Sequence, residues 1–227
     1  MKSTKIDWCD CTVNPVIGCK NGCEYCYARK INDRFKFVEN WNEPKFFPER
    51  LKEFKSKKPK SVFIDSMSDI GCWDDEWLAQ VLSVIADNPQ HNYIALTKTD
   101  STKVYLKIVK YEIDNGDKKL NFYLGKSVTN QEQYDKLLDK DELADFLSIE
   151  PLHSHIDFGK RIPKCVKTVI IGAETGNRKG KIVPEKQWVQ DIVSQCDKAG
   201  VAVFMKESLS DLMGDEFRQD KLPWSVE

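Results

Sequence analysis

The run "SVFIDS" at residues 61–66 sets Val62, Phe63 and Ile64 in succession and ends in Asp65 and Ser66. Apolar side chains that run on instead of alternating belong to a strand covered on both faces, and the polar pair marks where the chain leaves the sheet. The pattern recurs in "NYIALTK" (92–98), "NFYLGKSV" (121–128), "DFLSIEPL" (145–152), "TVIIGAE" (168–174) and "VAVFMKE" (201–207), with a further extended stretch in "CTVNPVIG" (11–18). Helical segments lie between them. "DDEWLAQVLSVIAD" (74–87) opens on acidic residues and sets Trp77, Val81, Leu82 and Ile85 at helical spacing for one apolar face. "TNQEQYDKLLDK" (129–140) starts from a Thr cap, and "PEKQWVQDIVSQCDKAG" (184–200) has Pro at a first-turn position and Gly at its end. Strands alternating with helices imply right-handed βαβ units and a largely parallel sheet. The expected fold is α/β, a partial, open TIM-like barrel of about six to seven parallel strands, with a doubly wound sheet as the alternative. The chain reads as a single domain over residues 1–227, and "YEIDNGDKKL" (111–120) as an excursion built on an Asn-Gly turn.

Composition narrows the setting. No basic-then-apolar leader opens the chain, and no apolar run reaches the roughly 18 residues of a membrane span, so a cytoplasmic, reducing location without a membrane is expected. There the eight cysteines are ligands, reactive thiols or small core residues rather than bridges. With 35 basic against 36 acidic residues the net charge is −1, and the molecule as a whole is no polycation drawn to phosphate backbones. The one basic run, "LKEFKSKKPK" (51–60), reads as a solvated helix end.

In a barrel of this kind functional residues follow the strands, on the C-terminal face. Asp65, Ser66 and Ser68, then Lys98, Lys126 and Ser127, Glu150, Glu174, and Lys206 with Glu207 stand at such places. So does the densest chemical signal, "GCKNGCEYC" (18–26), in which Cys19, Cys23 and Cys26 are spaced Cys-x3-Cys-x2-Cys beside Gly18 and Gly22. Glycines there permit a tight loop on which three sulfurs converge. Structural zinc usually takes four ligands, and neither a second close cysteine pair nor a nearby histidine is present, since His91, His153 and His155 lie far along the chain. A [4Fe–4S] cluster also usually takes four thiolates, so three leave one iron open to a substrate or cofactor.

The triplet, with the aromatic Tyr25 before its last cysteine, resembles the signature of the radical S-adenosylmethionine (SAM) enzymes. The blocks "DWCDCTVNPVIGC", "GCEYCYA", "FIDSMSD", "ALTK", "YLGKSVTNQEQ", "FLSIEPL", "VIIGAETG" and "AGVAVFMK" resemble in order and spacing those of the phage Gp37/Gp68-like family (DUF5131), also described as three-Cys-motif proteins. That resemblance covers nearly the whole chain. The radical SAM resemblance implies that Cys19, Cys23 and Cys26 ligate a [4Fe–4S] cluster whose open iron chelates the amino and carboxylate groups of SAM. Reductive cleavage of SAM then yields a 5′-deoxyadenosyl radical that abstracts hydrogen from an unassigned substrate. An electron donor of flavodoxin or ferredoxin type goes with it, and the phage association suggests a nucleobase or nucleotide substrate; a separately encoded partner protein would go with a non-catalytic binding module.

SAM would need acceptors for its ammonium, donors for its carboxylate and partners for its ribose. Tyr25, Ser66, Ser68, Lys98, Ser127, Glu150 and Glu174 are the candidates by position, with Glu150, Glu174, Cys9 and Cys11 as candidates for a part in the chemistry. Cys9 and Cys11, one residue apart on an extended segment, would face the same side and ligate a second metal, donate hydrogen, or serve as buried thiols. Cys72, Cys165 and Cys196 read as core or surface thiols. The rival reading is a non-catalytic binding module in which zinc replaces the cluster, and polar methyl transfer from SAM is a third.

Overall fold

The computed structural model describes residues 1–159 and 161–226. The chain divides into two compact units, residues 1–124 with the segment from Trp224, and residues 125–223.

In the first unit β1 (Lys2–Ser3) is the antiparallel neighbour of β2 (Cys11–Thr12). β3 (Val16–Ile17), α1 (Tyr27–Phe35) and β4 (Lys45–Phe46) follow, β4 pairing antiparallel with β3. β5 (Ser61–Phe63) lies parallel to β2; α2 (Asp75–Ala86) then leads to β6 (Asn92–Thr97), parallel to β5, and α3 (Ser101–Asp114) to β7 (Phe122–Val128). Val62, Ile64, Tyr93, Ala95 and Leu124 meet Leu78, Val81, Leu82 and Ile85 of α2 and Val104 and Ile108 of α3 in one core.

β7 runs through the division at Leu124 and Gly125. In the second unit α4 (Gln131–Asp139) leads to β8 (Phe146–Ile149), which lies parallel to β7 and to β9 (Thr168–Ile171). α5 (Lys186–Ala199) returns the chain to β10 (Ala202–Met205), parallel to β9, and the short α6 (Ser210–Met213) follows. Leu147, Ile149, Val169, Ile171, Val203 and Met205 pack against Tyr134 and Leu137 of α4 and Val189, Ile192 and Cys196 of α5. Strand order follows chain order, β1-β2-β5-β6-β7 in the first unit and β7-β8-β9-β10 in the second. Among the described residues the switch point that defines a doubly wound sheet does not occur, and the fold is α/β of the partial, open TIM-like barrel class. Among the described residues no helix is long and apolar enough to cross a membrane.

Several local expectations are corrected. "CTVNPVIG" is two short strands, because Pro15 has no N–H to give a ladder and Asn14 turns its side chain to the backbone N–H of Met67 and the hydroxyl of Ser66. On α2, Leu78 takes the buried place; Trp77 is half-buried and stacks on Phe46 with centroids 5.9 Å apart. Asn130, not Thr129, caps α4 by accepting from Gln133 N, and Pro184 precedes the cap residue Glu185 of α5. Residues 111–114 are the last turn of α3, and the excursion shortens to the turn at Asn115 and Gly116.

Trp224 closes the first unit. It is 1% exposed, donates from Nε1 to Trp8 O at 2.7 Å, and its carbonyl accepts from Asn92 Nδ2. Trp224→Ala is expected to cost about 3–5 kcal/mol in urea unfolding, the range for emptying a buried aromatic site.

Candidate metal centre

The cysteine loop is shaped by its glycines and its neighbours. Gly18 has φ +109°, and a Cβ there would stand 2.9 Å from both Pro44 Cα and Trp41 O, so only glycine fits. Its N–H donates to Met67 O, and that of Cys19 donates to Trp41 O at 2.8 Å. Gly22, at φ +68°, makes the second turn. Cys26 then caps α1: its Sγ accepts from Arg29 N at 3.4 Å, while Cys19 Sγ accepts from Asn21 N at 3.5 Å. All three thiols are half-buried and free of disulfides. Cys19 and Cys26 pack against Ile17, Ala28, Val38, Trp41 and Met67.

A buried carboxylate anchors the loop from below. Asp69, 4% exposed, accepts from Asn21 Nδ2 at 2.5 Å, Gly71 N, Thr97 Oγ1 and Lys98 N. Asp65, 2% exposed, accepts from Leu96 N with both oxygens and from Ile70 N, and burial, aided by the charge of Asp69, pushes its carboxyl well above the usual range.

Sequence spacing did not single out Cys72. Cys72 Sγ donates to Asn21 Oδ1 at 3.9 Å, which brings its thiol beside that of Cys19. The contact with Cys72, with burial second, holds the Cys19 thiol protonated, and the same contact draws Cys72 down to about 7. Burial also raises Cys26.

Of the residues expected near a cofactor, Tyr25 is on this loop, Lys98 meets it there, Ser66 meets the first residue of α1, and Ser68 is held by Trp73. Lys98 Nζ stands 5.5 Å from the centroid of the Tyr25 ring. Ser66 bonds Asn14 through its hydroxyl and Tyr27 through its carbonyl, and Ser68 Oγ accepts from Trp73 Nε1 at 3.0 Å. Cys9 and Cys11 do not share an extended segment: Cys9 sits in the turn before β2, and Cys11 is a fully buried core residue of β2.

The donor set fits a soft, thiolate-bound group: three thiols on one loop, backbone N–H groups aimed at two sulfurs, and an apolar surround. Among the described residues no three His, Cys, Asp or Glu side chains are grouped so as to hold a metal ion, so the fit is one of chemistry and not of converged sulfurs. A family model described as "Protein of unknown function (DUF5131)" matches residues 3–216. The chain belongs to the DUF5131 family. No curated protein and no solved structure matches it.

In this DUF5131 protein the remaining candidates fall in the second unit. Lys126 is no rim residue: it is buried and paired with buried Glu142 at 2.6 Å. Ser127, 7% exposed, lies within β7. Glu150, just after β8, pairs with Lys206, just after β10. Glu174, after β9, receives Arg178 in a two-pronged contact at 2.6 and 2.8 Å and lies 3.3 Å from His153 Nε2. His155 pairs with Asp191 at 2.9 Å, and His91 is buried against Phe54 O.

Two outcomes follow. Asp69→Asn turns an NH2 group toward donors that now meet an oxygen, and should cost about 1–3 kcal/mol in denaturant unfolding while iodoacetamide alkylates Cys19 and Cys23 faster than in wild type. Arg178 holds the Glu174 carboxyl below its ordinary value, so the stabilisation is complete above the unfolded-state pKa and is lost as pH falls through the lowered native one. Thermal melting between pH 6 and 3 should therefore fall less steeply in Glu174→Gln than in wild type.

Proposed function

We propose that this DUF5131 protein is a radical SAM enzyme in which Cys19, Cys23 and Cys26 hold a [4Fe–4S] cluster and the iron without a protein ligand takes SAM. The observation that carries the reading is the loop: three thiols on one segment, with positive-φ glycines Gly18 and Gly22 directly before the first and the second, and N–H groups of Asn21 and Arg29 directed at the outer two sulfurs. When bound, the cluster and SAM supply one-electron cleavage of a sulfonium bond and, through it, hydrogen abstraction from an unactivated C–H bond.

The chain's own part is to bind and orient. Hydrogen bonds to sulfur favour the thiolate form a ligand needs, and Ile17, Val38, Trp41 and Met67 give Cys19 and Cys26 an apolar backing. Lys98, beside Tyr25, offers a cation to the SAM carboxylate, and the Ser66 and Ser68 hydroxyls offer polar partners. Ser127, Glu150 and Glu174, the remaining candidates for ribose hydroxyls or substrate, belong to the second unit, where Glu150 is paired with Lys206 and Glu174 with Arg178. The reading includes a cytoplasmic setting, an electron donor of flavodoxin or ferredoxin type, and a nucleobase or nucleotide as substrate class.

One observation favours a second reading. Cys72, in contact with Cys19, supplies a fourth thiol, and four thiolates make a closed zinc site of the kind that stabilises a binding module, which would act with a separately encoded partner protein. Anaerobic reconstitution separates the two. The enzyme should bind about four irons with a broad visible absorption, lose both in Cys19→Ala, Cys23→Ala or Cys26→Ala, and keep both in Cys72→Ala. With SAM and dithionite, wild type should form 5′-deoxyadenosine. One tightly held zinc that depends on Cys72, without SAM cleavage, would sink the first reading and establish the second.

A further inference from the structure

Helix α1 begins immediately after Cys26 and turns a continuous apolar stripe outward. Tyr27, Ile31 and Phe35 recur every fourth residue, and Phe37 follows just past the helix. They are 51, 37, 58 and 45% exposed, whereas Ala28 and Asn32 take the buried side. Such large side chains in contiguous exposure mark an interaction surface. The stripe is held in place before any partner arrives. Asn32 bonds the backbone N–H and carbonyl of Val38 and fixes the chain past the helix. Phe35 and Phe37 stack with centroids 5.9 Å apart, the Arg34 guanidinium stands 5.1 Å from the Phe35 ring, and Tyr27 Oη donates to Ser66 O at 2.8 Å.

The border of the stripe is basic. Lys30, Arg34 and Lys36 are exposed and Arg29 is half-buried, against Asp33 as the one acid of residues 27–37, in a chain whose net charge is −1.

We propose that this face of α1 docks a small acidic electron-carrier protein with a flavin or iron–sulfur centre. The inference rests on the radical SAM reading, which requires one electron at the centre held by Cys19, Cys23 and Cys26. The carrier is oxidised by one electron, that centre is reduced by one, and no atom or proton passes between them. Position favours this partner, because Tyr27 at the edge of the stripe is the residue next to Cys26. Charge favours it too: a basic border steers an acidic partner, and rigid aromatics with arginine are the composition of a binding hot spot. Single-stranded nucleic acid would need open ring faces on which bases stack. Here Phe37 and Arg34 occupy the Phe35 ring, and Tyr27 is pinned through its hydroxyl.

The test titrates fluorescently labelled, purified acidic flavodoxin into the apo and the reconstituted protein, following anisotropy at low and high salt. Binding should weaken with salt, and Phe35→Ser and Arg34→Glu should each weaken it by about tenfold with unchanged thermal melting, since both side chains are exposed. Carbodiimide coupling should join Lys30 or Lys36 to carrier carboxylates. Equal affinity in wild type and both variants, or cross-links confined to other lysines, overturns the proposal. Binding of a labelled oligothymidylate that Phe35→Ser abolishes overturns it in favour of nucleic acid, and self-association that the same change abolishes overturns it in favour of a second copy. Dithionite-driven SAM cleavage should be the same in the variants as in wild type while flavodoxin-driven cleavage drops. If wild type cleaves SAM with neither reductant, the enzyme reading fails, and the titration still decides whether the surface binds the carrier.

Discussion

The hydrogen bonds collected by Asp69 are the constraint on which the thiol loop depends. One buried carboxylate takes donors from Asn21 on the loop, from Gly71 in the turn after β5, and from Thr97 and Lys98 at the end of β6. Removing a buried acceptor strands every donor that faced it, so these segments keep their places together or not at all. The close approach explains Gly71: a Cβ there would stand 1.8 Å from Thr99 Oγ1 and 2.6 Å from Thr97 Oγ1. Asp65 lies beside this network, and its displacement toward the protonated form relieves what would be two buried negative charges side by side.

The parallel strands were legible because burial on both faces leaves a signature in composition: Val62, Phe63 and Ile64 are all within 5% exposure, and a continuous apolar run is what such a strand requires. The single break inside an expected strand came at Pro15, where the missing N–H counts against pairing as much as Val13 and Val16 count for it. The exchange of Trp77 for Leu78 reflects the same limit. Helical spacing gives a face to within a residue, and the large indole is accommodated at the margin against Phe46. α1 carries a helical stripe, Tyr27, Ile31 and Phe35, but that stripe points outward and only Ala28 and Asn32 face in, so the pattern does not mark a core face.

The site divides in the same way. Cys19, Cys23 and Cys26 are legible because one loop carries them and the spacing is itself the signal. Asp69 and Cys72 are not, since each meets the loop across a tertiary contact to Asn21 or Cys19 that no local spacing encodes. Asp69 carries one sequence-level hint, a polar residue shortly after a buried strand, which it shares with several residues that turn out to be structural. Lys126 is the instructive case: placed at a strand end by pattern, it is spent on Glu142 inside the second unit.

The contact between Cys19 and Cys72 bears on how any metal would enter. A ligand sulfur must be a thiolate, yet the contact with Cys72, and burial after it, push the Cys19 thiol toward its protonated form. Ligation at Cys19 and its protonated form in that contact therefore exclude one another. Loading a centre has to break that contact, expel the proton and leave Cys72 either as a further ligand or as a thiol donating to Asn21 Oδ1. The Asn21 N–H to Cys19 Sγ survives both arrangements, because an N–H can donate to a thiol or, more strongly, to a thiolate. The backbone of the loop is thus already arranged for the charged form of the sulfur, while the one side chain that holds the neutral form is the thiol with which the two functional readings part company.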